Sequence, residues 1–165
     1  MLNAIEPADP CQITNETHWT VRDTFTYWEA KRGQHDMPSR SSIDPTEIVD
    51  LLPNLILLDV LHDPRDFQYR LVGTNVEGFM ASPRTGKRMS ELQHQKPPSE
   101  IWKSCNKVVE ERQPLISSIP YVGPKKDFLR VEDIILPLSP HGEQVNMLLV
   151  AVAFVRKTRL PPSFV

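Results

Sequence analysis

Hydrophobic and polar positions divide this chain into a helical start, a hairpin, a helical middle and a β-rich end. In residues 17–32, Val21, Phe25 and Trp28 recur at i, i+4 and i+7, with Trp19 and Tyr27 flanking the stripe. That spacing predicts an amphipathic helix, and Gly33 stops it. Asp44-Pro45-Thr46-Glu47 combines a cap, a proline suited to the first helical position and a glutamate placed for a capping box. A short helix over residues 45–52 is predicted, closed by Pro53. Residues 54–61 and 67–72 then read as two antiparallel strands joined by the turn His62-Asp63-Pro64-Arg65-Asp66, because Phe67, Tyr69 and Leu71 alternate with Gln68, Arg70 and Val72.

Thr74 is placed to cap a short helix over 75–80, after which the pattern dissolves apart from a turn of helix at 90–92. Ser99 opens a longer helix reaching about Arg112, with Ile101, Trp102, Cys105, Val108 and Val109 on one face, and Pro114 prevents its continuation. The rest is β: strands over 115–122, 128–138 and 144–155. The last contains the longest apolar run, Met147 to Val155, and such a run marks a strand covered on both faces. Five strands with helices packed against them point to an α+β domain with an antiparallel sheet.

Composition narrows the function class. A chain of 165 residues is long enough for one domain with a real core. Its net charge of −2, with both signs interspersed, lacks the basic stripe that nucleic acid requires. The apolar run is far short of the roughly 20 residues that span a bilayer. The first twenty residues show no signal-peptide pattern, and the two cysteines, Cys11 and Cys105, form no CxxC motif. A cytoplasmic protein is therefore expected. Residues 1–16 read as an arm, 17–42 as a helix and link, 43–156 as the main domain and 157–165 as a loose tail.

Two strands, a helical middle ending in one longer helix, and a three-strand meander resemble the PAS domain. More narrowly, the chain resembles the PAS-like group found as short bacterial proteins of otherwise unassigned role. Trp28 with Arg32-Gly33, Met37-Pro38-Ser39-Arg40, Ile43-Asp44-Pro45 and Leu51-Leu52-Pro53-Asn54-Leu55 carry that resemblance. Phe67-Gln68-Tyr69-Arg70-Leu71-Val72-Gly73-Thr74, Thr85-Gly86-Lys87 and Leu136-Pro137-Leu138-Ser139 continue it. The resemblance implies a PAS-like sheet of order 2-1-5-4-3 with helices on one face, residues 67–72 as an edge strand and the fifth strand central. It also implies an extra N-terminal amphipathic helix that packs on the other face or pairs between subunits.

What the resemblance implies for function is a non-catalytic sensory or interaction module in bacterial signalling. Such a module binds a small molecule between sheet and long helix, or a partner protein. Tyr69, Phe79, Trp102, Cys105 and Val109 are the candidate pocket residues, and Val21, Phe25 and Trp28 the candidate interaction face for a partner or self-association. Core packing explains the aromatic residues equally well, and a buried thiol is more often inert filler than a ligand group. Flavin attachment in this fold uses an Asn-Cys-Arg-type motif, but residues 77–82, Glu77 to Ser82, hold no cysteine. Haem uses a histidine on or near the long helix, which has none, His94 lying ahead of it. Neither cofactor is expected. Arg70 and Glu132 sit among apolar strand residues, and the outward period reads both as solvated. His62, Asp63 and Asp66 could ligate a metal, but turn chemistry alone accounts for them. Two alternatives stay open: a structural adaptor with a filled core that mediates dimerisation or protein contacts, and a small enzyme on a similar fold using Tyr69 or Glu132. No nucleophile, metal or nucleotide motif supports the second.

Overall fold

The apolar run of the last strand lies at the centre of the sheet, and the other elements cover it. A computed structural model describes residues 13–121 and 124–157. In order, these form α1 (Trp19–Arg32), β1 (Leu55–His62), β2 (Arg65–Val72), α2 (Thr74–Glu77), α3 (Glu100–Glu111), β3 (Leu115–Pro120), β4 (Phe128–Leu138) and β5 (Met147–Arg156). The five strands make one antiparallel sheet of order β2-β1-β5-β4-β3. This is the expected PAS-type order with β5 central. Much of the predicted arm and tail lies outside the described residues, as does the end of the predicted third strand.

Strand alternation assigns the two faces. Glu132 and Asp133 are successive residues of β4, so their side chains point to opposite sides of the sheet. The backbone N–H of His18, which caps α1, donates to Glu132 Oε2 at 2.8 Å. Cys105 of α3 feels the charge of Asp133. Hence α1 covers one face and α3 the other. Ala151 and Ala153 of β5, both fully buried, share the Glu132 face through the pairs Ile134–Ala151 and Glu132–Ala153. Their small side chains allow α1 to approach closely.

The α1 stripe is anchored by Val21 and Trp28, at 0% and 3% exposure, while Phe25 is half-buried. Trp28 Nε1 donates to the Pro137 carbonyl at 2.9 Å, which satisfies the indole in the core. Thr20 and Thr24 fill the same stripe, and the Thr24 hydroxyl bonds back to the Thr20 carbonyl at 2.6 Å. Met37, Ile43, Ile48 and Leu51 extend the same core, so the segment between α1 and β1 is packed onto the domain.

Several local expectations change in the structure. The predicted helix over 45–52 is two separate 3₁₀ turns, Pro45–Glu47 and Leu52–Asn54. Asp44 does cap Thr46, but Glu47 leaves the capping box, accepting from Tyr27 Oη at 2.7 Å and pairing with Lys31 at 2.8 Å. A tertiary partner and an opposite charge outbid one local hydrogen bond. Thr74 is the first residue of α2, with Gly73 in the cap position. The hairpin turn shrinks to Asp63-Pro64, since Arg65 and Asp66 join β2. Strand β2 ends the sheet, but its outer edge is occupied: Tyr69 N–H donates to the Lys87 carbonyl and Gly86 N–H to the Tyr69 carbonyl. That covering blunts an edge otherwise open to other chains.

Gly73 is required by close approach. Its N–H bonds to the Leu55 carbonyl at 2.7 Å, and a Cβ added there would stand 2.3 Å from the Pro53 carbonyl oxygen and 2.5 Å from that of Leu52. These are backbone atoms and cannot rotate away. Gly73→Ala is therefore expected to destabilise the domain by about 1–3 kcal/mol, read as a lowered urea midpoint. An unchanged midpoint would show that the 3₁₀ turn Leu52–Asn54 yields freely.

Candidate functional site

The α3-facing side of the sheet carries Phe67 and Tyr69 from β2, Leu58 from β1, Leu148 and Val150 from β5, and Ile135 and Asp133 from β4, as the strand registers require. Helix α3 lies over them because Ser99 caps it, its Oγ accepting from Trp102 N–H at 3.2 Å, and because its apolar residues fall on one face. Arg112, in a left-handed conformation at φ 55°, ends it.

Four of the five candidate pocket residues gather here. Tyr69, Cys105 and Val109 are buried, and Trp102 is half-buried with its ring edge-on to Phe67 at 5.0 Å. The Tyr69 hydroxyl donates to Gln95 Oε1 at 2.7 Å, and burial raises its ionisation above the usual range. Cys105 is fully enclosed. Desolvation, with Asp133 second, drives its thiol far above the ordinary value, so the neutral and unreactive form persists. Around Cys105, Val108 and Phe67, all at 0% exposure, no water-sized gap touches the side chains.

Phe79 lies elsewhere. It follows α2 and stacks on Phe154 with centroids 3.5 Å apart and planes 2° apart, beside Phe128 at 4.9 Å and Tyr121 at 6.0 Å. This aromatic cluster sits at the end of the sheet where β5 finishes. The pocket expected from sequence thus separates into two places.

Glu132 corrects the solvated reading. It is 8% exposed, ion-paired with Arg130 at 2.8 Å and bonded to the α1 cap. Arg70 does face solvent, where it pairs with Asp59 at 3.0 Å. His62 Nε2 lies 2.9 Å from the Val145 carbonyl. Asp66 accepts from Ser90 Oγ at 2.5 Å and from the backbone N–H of Phe67 and Ser90. Among the described residues, no three His, Cys, Asp or Glu side chains converge to hold a metal ion.

Sequence reasoning passed over Asp133. Its carboxyl accepts from Ser117 Oγ at 2.6 Å beneath α3. Desolvation lifts it to about 6, with the serine hydrogen bond pulling the other way. The signal available was its parity with Ile135, which places an acid on a covered face.

The raised value sets a pH dependence. Folding favours the protonated acid, so this contribution to stability is full below the ordinary value of 3.8 and is lost as pH rises through about 6. The side chain is partly exposed, which reduces the effect to about 1–2 kcal/mol. Wild-type stability should fall by that amount relative to Asp133→Asn over this window, measured by urea unfolding at each pH. Parallel curves would place the carboxyl in water.

A family model for the PAS domain matches residues 16–152. No protein of curated function matches the chain. Among solved structures, the fold is similar to a sensory box sensor histidine kinase from Vibrio cholerae at 17% identity, covering 68% of this chain and 92% of that one, with a TM-score of 0.48. It is also similar to a fungal LOV domain photoreceptor at 18% identity, covering 71% and 95%, with a TM-score of 0.43. Taken with the 2-1-5-4-3 sheet, the family match over most of its length makes this chain a member of the PAS domain family.

Proposed function

We propose that the protein is a non-catalytic sensory module in which events on the α3 face of the sheet alter the hold of α1 on the other face. PAS domains are typically sensory and non-catalytic, which supports the class. The observation that carries the specific reading is the carboxylate pair Glu132 and Asp133 on β4. Glu132 holds the α1 cap through His18 N–H, and Asp133 meets Ser117 and Cys105 beneath α3. A shift of β4 is thereby felt on both faces through adjacent residues.

In this reading, a small ligand or partner near Tyr69, Trp102, Cys105 and Val109 favours one packing of β4. Helix α1, with Val21, Phe25 and Trp28, carries the change to a signalling partner or a second subunit. A ligand moves such an equilibrium only by its differential affinity for the two packings. The full burial of Cys105, Val108 and Phe67 favours a second reading, a structural adaptor with a filled core.

Amide hydrogen exchange separates the two. Asp133→Asn alters only the α3 face, yet in the sensory reading it should change exchange across residues 19–32 by about threefold or more, since local openings respond to small free-energy changes. Exchange altered in β3 and β4 but unchanged in α1 would sink the coupling and leave the adaptor.

A further inference from the structure

The aromatic cluster around Phe79 lines an open cleft of about 640 Å³ that also reaches the start of α1 at His18 and Trp19. This volume lies in the range of small-molecule sites. The cleft is separate from the Tyr69, Trp102 and Cys105 group beneath α3.

Its chemistry is specific. One face of Phe79 is stacked on Phe154, and over the other stands Lys125 Nζ, 4.2 Å from the ring centroid. The Arg156 guanidinium sits 5.3 Å from the centroid of Phe128, which itself meets Phe79 edge-on. Two cations are thus gathered at one set of rings. Among the described residues, neither has a carboxylate within ion-pair distance. Asp127 also lines the cleft and contributes one negative charge, while burial keeps the His18 imidazole below its usual value and neutral at pH 7. Lys125, Arg156 and Asp127 together leave one positive charge. Asn54 and Asn75 also line the cleft, and they are held in place: Asn54 amide N–H bonds to the Val152 carbonyl and Asn75 amide N–H to Asn54 Oδ1.

We propose that this cleft binds a small planar aromatic monocarboxylate. The ligand ring takes the Phe79 face now covered by Lys125, exchanging a weak exposed cation–π contact for ring stacking. The displaced ammonium and the Arg156 guanidinium then meet the carboxylate in charge-assisted hydrogen bonds. One anionic charge matches the single excess positive charge, and a planar ring matches the aromatic stack. This site does not depend on the coupling between α3 and α1 through β4.

Calorimetric titration of the full chain with 2-naphthoate tests it, with 2-naphthamide and cyclohexanecarboxylate as controls. Saturable 1:1 binding is expected, weakened about tenfold or more in the Lys125→Ala/Arg156→Ala double variant, as loss of charged hydrogen bonds implies. Both side chains are exposed, so the variant keeps the fold. Phe79→Leu should weaken 2-naphthoate while retaining apolar volume. The uncharged amide and the non-planar acid should bind at least severalfold less tightly. Absence of saturable binding, equal binding of either control, or unchanged affinity in the double variant or in Phe79→Leu would overturn the assignment.

Discussion

β5 is buried on both faces from Met147 through Ala153, and the rest of the fold answers that constraint. An apolar strand of this length cannot leave either face in water, because each fully buried valine or leucine side chain contributes about 1.5–3 kcal/mol. Helix α3 serves one side and α1 the other. The α1 cover is therefore an integral part of the folded domain, joined to it by Val21, Trp28 and the Trp28–Pro137 hydrogen bond.

Covering both faces forces polar groups into the interior, and their partners give the structure its specificity. The Glu132 carboxylate is acceptable in the core because Arg130 and the His18 N–H supply charge and a donor. Asp133 accepts from the Ser117 hydroxyl, which does not offset its desolvation, so its charge is disfavoured. Two adjacent acids on one strand thus meet different partners, Arg130 and the α1 cap for Glu132 and the β3 hydroxyl of Ser117 for Asp133. The same logic makes Cys105 inert: enclosure and a neighbouring acid both oppose a thiolate.

The hairpin, the long helix with its Ser99 cap, and the central strand were legible in the chain, since each rests on local periodicity or cap chemistry. The short helix over 45–52 was misread, because Glu47 is drawn away by Tyr27 and Lys31, which are distant in sequence. Phe79 lies apart from the other four candidates for a related reason. It follows α2 in a segment without periodicity, and only the path of the chain brings it against Phe154. Glu132 was read as solvated from an outward period, yet a strand covered on both sides has no outward face.

By itself, the sequence determined the element types, the antiparallel β end and the need for cover on two sides, because these follow from spacing between near neighbours. Only the tertiary structure decided which acids are buried and paired, that Phe79 joins a cation-lined cleft at the end of the sheet, and that Glu132 and Asp133 face opposite helices. Those outcomes depend on partners far apart in the chain, where hydrogen bonds, charge and desolvation are settled by packing.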